Sequence, residues 1–403
     1  MTVTDAGPPR REPGQAPADA RAKPGQPGRP PARSAAVEEK LSRVRGWLGL
    51  SGYDAALLTS QPGVAWIAAG LADQVVRNEE PGLVWALITG TGAHLITSNV
   101  EQPRLTAEEG VNGLGFELHA VPWYRPDALS EAAAELIARA GAARVATDGA
   151  GPGTALPAAL AGLRMPLSAW EVDRLARLGA DCAAALEGAL YDWTPTEREC
   201  ELAARIAAAL EQRLIGVSVL LVGGSRRRLA FRHPVPTTEV TGSDALAVIV
   251  GVRGGLNVAC SRTVCAGQPS ADLAAKHRAA CTVEAAMIAA TRPGSTWQAA
   301  LDAGLAAYRE AGFPDEWREH LQGGPIGYLS REFDVVPGTA HAAAAIKTGT
   351  AFAWNPTVQG GKSEDTFVVT GGAARAVSNT PDWPSLTMHT PSGPASRPAI
   401  LQI

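Results

Sequence analysis

The chain has 403 residues, of which 46% are hydrophobic and 19% charged, and a formal net charge of −4. That length divides into two or three domains with ample apolar surface to bury, and no apolar run of about 18 residues marks a membrane span. A mildly acidic chain without a basic stripe is a poor nucleic-acid partner, because phosphate neutralisation needs clustered Lys and Arg.

Residues 1–34 are rich in Pro, Gly, Ala and Arg, as in Gly7-Pro8-Pro9-Arg10 and Gly28-Arg29-Pro30-Pro31. Such a mixture buries too little to offset ordering entropy, so a disordered tail is expected, and its lack of an apolar h-region argues against a secretory signal. Residues 35–165 interleave a helix near Val37–Leu50, short apolar strands at Ala55–Leu58, Leu83–Ile88 and His94–Ile96, a helix near Ala128–Ala140 and a strand at Arg144–Thr147. This is the pattern of a small α/β domain.

From Ser168 the apolar period becomes helical, with Val172, Leu175, Leu178, Cys182 and Leu186 on one stripe, and a long linking helix opens a second domain over residues 166–377. Thr194-Pro195-Thr196-Glu197 predicts a capped helix running to Leu214. Strands follow at Val217–Val222, Ala245–Val252 and Leu256–Cys265, the last two joined through Arg253-Gly254-Gly255 as a hairpin. Helices come next at Ala271–Ala290 and Trp297–Ala311, the second with a capping box from Ser295 to Gln298. A strand pair, Ala351–Val358 and Glu364–Thr370, closes the domain around Gln359-Gly360-Gly361. Helices on one side of an antiparallel sheet define an α+β domain. Residues 378–403, with Pro381, Pro384, Pro391, Pro394 and Pro398, are expected to be a mobile or surface-draped tail.

Four segments of the second domain carry a resemblance. They are Phe231-Arg232-His233-Pro234-Val235-Pro236-Thr237, the hairpin from Val250 to Thr263, Gln322-Gly323-Gly324-Pro325-Ile326-Gly327-Tyr328 leading to Arg331-Glu332, and Trp354-Asn355-Pro356 leading to Lys362-Ser363-Glu364-Asp365-Thr366. In this order they resemble the creatinase, aminopeptidase P and prolidase (pita-bread) superfamily, which implies a C-terminal pita-bread domain behind a smaller α/β N-terminal domain. Metallopeptidases of that family hold two divalent ions with two aspartates, one histidine and two glutamates. The matching positions here are Val250, Ala259, Gly324, Asn355 and Glu364, so only Glu364 keeps its carboxylate. One carboxylate cannot build a dinuclear site, and no metal or other cofactor is expected.

Creatinase, on the same fold, implies a metal-free route through a pocket histidine, here His233, with His320 as a second candidate and Glu364 as anchor for a substrate nitrogen. Substrate-binding candidates are Arg232, Arg262, Gln322, Arg331, Glu332, Trp354 and Asn355. Arg262 and Arg331 are either bidentate clamps for a substrate carboxylate or structural partners of Glu332, Glu364 or Asp365. Strand alternation turns Asp365 away from Glu364 and makes it a structural hydrogen-bonding group. The Gly323-Gly324 pair fits close approach of backbone to a ligand or another strand. The five cysteines show no Cys-x-x-Cys spacing; they read as reduced thiols of a cytoplasmic protein, with Cys260 and Cys265 as small buried hydrophobes.

The expected activity is metal-independent hydrolysis of a C–N bond in a small amino-acid-like or short-peptide substrate. Elimination or cyclisation in the same pocket, and a catalytically silent pseudopeptidase that binds peptides or partners, are the alternatives. Related proteins dimerise, which implies a homodimer.

Overall fold

Alternating and helical apolar spacing organises the described residues around three sheets of four or more strands, with two small two-stranded ones beside them. A computed structural model describes residues 32–73, 75 and 82–403. Of the expected N-terminal tail, residues 1–31 lie outside the described residues, while residues 32–34 already belong to the first helix, Ala32–Ser51. The N-terminal domain is a six-stranded mixed sheet in the order Glu117–Val121, Ala93–Ser98, Val84–Thr89, Ala55–Leu58, Val145–Thr147, Thr154–Ala155. Ala55–Leu58 is buried along its whole length, which explains why it reads as a continuous apolar run rather than an alternating one. Ser60 starts the following helix, Gln61–Ile67, by accepting a hydrogen bond from the Gly63 amide.

The linking helix, Ala169–Tyr191, opens with a capping box in which Ser168 and Glu171 satisfy each other's backbone amides. Behind it, Gly216–Gly224, Asp244–Arg253 and Leu256–Cys265 form an antiparallel sheet. The hairpin turns on Gly254 and Gly255, whose φ of 57° and 77° fit the two-residue turn that favours glycine. A second antiparallel sheet contains Gly323–Ile326, Ala351–Trp354, Asp365–Val369 and Ala374–Ala376. Helices Ala271–Ala290 and Trp297–Glu310 cover its back face, where Trp297, Phe352, Trp354 and Phe367 form an aromatic core. The two sheets are tied together by the Ser261 amide on the Glu364 carbonyl at 2.9 Å and the Ala259 amide on Thr366 Oγ1 at 2.9 Å.

The structure differs from the sequence expectation at three places. The helix expected from Thr194 spans Glu199–Glu211, because Arg198 pairs as a β-bridge with Val240 and the Glu197 carbonyl accepts from Thr241. Helix Trp297–Glu310 is capped by Thr296, which accepts from the Ala299 amide, and not by Ser295. Residues 378–403 are tied into the fold: Ser385–Thr390 and Gly393–Pro398 form a hairpin, and Leu401–Gln402 extends the first sheet in parallel with Leu256–Cys265.

Charge explains that last difference. Arg397 Nη2 lies 2.7 Å from both Asp365 and Glu284, and all three side chains are buried. Removing one partner of a buried ion pair strands the others, at a cost of about 3–5 kcal/mol. Arg397→Met is therefore expected to lower unfolding stability by about that amount in urea denaturation at neutral pH. A change within experimental error would show that the C-terminal hairpin is not stitched to the core through this side chain.

Candidate functional site

The loop that carries His233 is fixed from below. Pro234 and Pro236 restrict its backbone, and the buried Glu199 carboxylate accepts from the Thr237 amide (3.0 Å), Thr237 Oγ1 (2.8 Å) and the Gly224 amide (2.9 Å), and also pairs with Arg227. Glu199 was not singled out by sequence; at the start of a helix it reads as an ordinary acidic first-turn residue. His320 follows the short helix Glu316–Glu319 and is buried behind His233. The two imidazoles meet edge to face, Nε2 to Nε2, at 3.1 Å.

Electrostatics hold this pair neutral. Burial, then the charges of Lys362 and His233, pull the His320 pKa down to about 2. His233, at the exposed rim, is lowered by burial and then by Lys362, while Glu364 opposes the shift. His320 Nδ1 is buried without a protein partner among the described residues.

Lys362 is the residue that sequence reasoning missed. Its side chain is 2% exposed, with Nζ 3.4 Å from Glu364 Oε2 and 3.4 Å from the Asn355 carbonyl oxygen. Burial lowers its pKa and Glu364 opposes that shift. Arg331 extends the cationic side, donating to the Ala353 carbonyl at 2.8 Å and the Gly324 carbonyl at 3.2 Å, within the field of Glu364. The structure thus gathers His233, His320, Glu364, Asn355, Arg331 and Lys362.

Other candidates are committed elsewhere. Arg262 is fully buried and bonds Glu187, Asp365 and the Ser261 and Ser378 carbonyls, so no donor edge is free to clamp a substrate. Trp354 is a core residue whose Nε1 donates to Thr291. Glu332 forms a bidentate pair with Arg164 at 2.7 and 3.0 Å, and Gln322 is consumed by Tyr308, Trp317 and His320 backbone or side-chain groups. Arg232 pairs with Glu316 at 2.7 Å. Arg232, Arg262, Gln322, Glu332 and Trp354, all expected to bind substrate, are thus engaged by other groups of the protein.

The expected metal-ligand positions are also visible. Val250 and Ala259 lie directly opposite each other in the hairpin register. A Cβ on Gly324 would meet the Phe333 carbonyl oxygen at 2.4 Å, and one on Gly323 the Ala353 carbonyl oxygen at 2.2 Å. Gly323 thus lies against a neighbouring strand and Gly324 against the loop at Phe333, and neither has room for a side chain. Asn355 Oδ1 is buried without a partner among the described residues. The cysteines are unpaired; Cys260 and Cys265 are buried, and burial raises both thiol pKa values.

Residues 173–371 match metallopeptidase family M24. That match covers the second domain, which has the pita-bread fold of the solved prolidase and dipeptidase structures it superposes on. Among solved structures, an Xaa-Pro dipeptidase from Bacillus anthracis superposes with a TM-score of 0.70 at 17% identity, covering 91% of this chain and 100% of that one. Dipeptidase PepE from Mycobacterium ulcerans gives 0.70 at 21% identity, covering 86% and 97%. The N-terminal domain of FACT complex subunit SPT16 from Cicer arietinum gives 0.61 at 12% identity, covering 85% and 96%. No curated protein matches the chain. The family match supports a hydrolase of the aminopeptidase P type. No helix among the described residues is long and apolar enough to cross a membrane.

Because Lys362 depresses both histidines, Lys362→Met is expected to move the His233 titration upward in NMR, whereas Lys362→Arg, which keeps the charge, leaves it near the wild-type midpoint. Superimposable titrations of Lys362→Met and wild type would remove Lys362 from the site.

Proposed function

We propose that this chain is a metal-independent hydrolase acting on a C–N bond of a small amino-acid-like or short-peptide substrate, with the His233–His320 pair as its proton-transfer device. The observation that carries the reading is the 3.1 Å contact between two imidazole nitrogens beside the Lys362–Glu364 pair. The donor set does not fit the dinuclear ion of metallopeptidase relatives. Val250, Ala259 and Gly324 offer no side-chain donor, Asn355 offers a neutral oxygen, and the one remaining carboxylate is neutralised by a buried ammonium.

His233 then supplies the chemistry that a metal-bound hydroxide supplies elsewhere. As a neutral imidazole it takes a proton from the attacking water while the oxygen bonds to the substrate carbon. It returns that proton to nitrogen as the C–N bond breaks and nitrogen leaves with the bonding pair. His320, held neutral by its surroundings, orients the His233 ring through the shared hydrogen bond. Lys362 and Arg331 provide positive potential for a substrate carboxylate or for developing negative charge, and Glu364 anchors a substrate nitrogen.

The same reading includes a homodimer. Phe231, Val235 and Leu321, 50%, 63% and 54% exposed, lie within two residues of His233 or His320 in the chain, and a second copy is proposed to cover them. Sedimentation is expected to give twice the monomer mass at micromolar concentration; a monomer there would refute it.

Chelator-treated protein is expected to hydrolyse members of a panel of Xaa-Pro dipeptides, amino-acid amides and guanidino compounds, with turnover indifferent to added metal. His233→Ala should lose about 100-fold or more in kcat. Activity appearing only on addition of manganese or cobalt, or unchanged turnover in the variant, would overturn the proposal. A second reading, a silent peptide-binding protein, is favoured by the commitment of Arg232, Arg262 and Glu332 to structural ion pairs. Saturable binding of dipeptides without turnover would select it.

A further inference from the structure

We propose that His94, Glu117 and His119 form a second, unrelated site on the N-terminal domain that binds one zinc-class divalent cation, with water completing its coordination. Strands Ala93–Ser98 and Glu117–Val121 pair in parallel, with His94 beside Glu117 and Ile96 beside His119. Glu117 and His119 are two residues apart and project to one face, and His94 joins them from the neighbouring strand.

The donor atoms form a small triangle. His94 Nδ1 lies 3.1 Å from His119 Nε2 and 3.4 Å from Glu117 Oε2, and His119 Nε2 lies 3.6 Å from Glu117 Oε1. Bonds of about 2.0–2.1 Å to a tetrahedral zinc ion place neighbouring donors about 3.3–3.4 Å apart, so one ion above this triangle reaches all three ligands with small movements. The rings are tilted by 49° rather than stacked, as nitrogens converging on a common point require. A Cβ on Gly92 would meet His94 Nε2 at 2.7 Å, so glycine there gives the ring its space.

Two imidazoles and one carboxylate select zinc, cobalt or nickel over magnesium or calcium, which prefer all-oxygen shells. The Glu117 side chain is 67% exposed, against 18% and 23% for the histidines. The ion therefore enters from solvent and keeps an open side for water. Glu117–Val121 is the edge strand of its sheet, so the ion adds a cross-link to its single pairing, with Ala93–Ser98.

The test uses untagged, chelator-treated full-length chain titrated with zinc chloride by calorimetry, with cobalt absorption as a spectroscopic report of tetrahedral or five-coordinate binding. One zinc per chain is expected, with a melting midpoint that rises with zinc concentration. His119→Gln and Glu117→Gln should each weaken binding by about tenfold or more, while His233→Gln, which breaks the other histidine pair, should leave it unchanged. These substitutions lie on a partly exposed sheet edge, and melting of the metal-free variants near the wild-type midpoint confirms their fold. No saturable zinc binding, or binding lost in His233→Gln but retained in His119→Gln, overturns the proposal without touching the proposed hydrolase reading.

Discussion

The second domain depends on a buried charge cluster centred on Asp365. Its carboxylate accepts from Arg262 at 3.0 Å, Arg397 at 2.7 Å and Ser378 Oγ at 2.8 Å, while Glu187 takes a further Arg262 nitrogen and Glu284 bonds Arg397 and the Asp365 amide. The linking helix, the hairpin, helix Ala271–Ala290, the second sheet and the C-terminal hairpin therefore meet at one point. Two guanidinium groups face three carboxylates there. Burial pushes the Glu284 pKa up to about 7 against the opposing pull of Arg397, so a proton on Glu284 brings the cluster to balance near neutrality. Its pKa is raised, so this contribution to stability is complete below the ordinary glutamate range and is lost as pH rises through about 7.

The same strand explains why the pocket has its composition. Direct pairing puts Trp354 beside Asp365 and Phe352 beside Phe367, and these residues face the covering helices. The opposite parity, Asn355, Glu364 and Thr366, faces the hairpin, where Thr366 bonds both the amide and the carbonyl of Ala259. One alternation thus separates a structural charge cluster behind the sheet from a candidate catalytic one in front of it.

Much of this was legible in the sequence. The strand Leu256–Cys265 and helix Ala271–Ala290 were bounded to the residue, because the Gly254-Gly255 turn and the Gly267-Gln268-Pro269-Ser270 break mark where each begins or ends. The separation of Glu364 from Asp365 followed from strand alternation alone, and the same parity applied to Trp354 would have removed it from the site. Arg262 is a different case: whether an arginine clamps a ligand or fills a buried cluster depends on Glu187 and Ser378, both more than 70 residues away. Proline content made residues 378–403 look mobile because composition does not register one arginine with two buried carboxylate partners. Lys362 escaped for a related reason. A lysine after Gly360-Gly361 looks like a solvated turn residue, and only the folded sheet reveals its burial beside Glu364.

That lysine changes what the fold is suited to hold. A dinuclear site concentrates carboxylates so that two cations are welcome; here the Glu364 carboxylate has a buried ammonium 3.4 Å from it, and the Arg331 guanidinium stands between the fields of Glu364 and Asp334. An added divalent ion would meet repulsion with few anionic oxygens to offset it, whereas a ligand carboxylate would meet attraction strengthened by low local polarity. The buried charges of Lys362 and Arg331 thus favour an anionic group over a cation beside Glu364, while burial first and Lys362 second lower the pKa of both histidines.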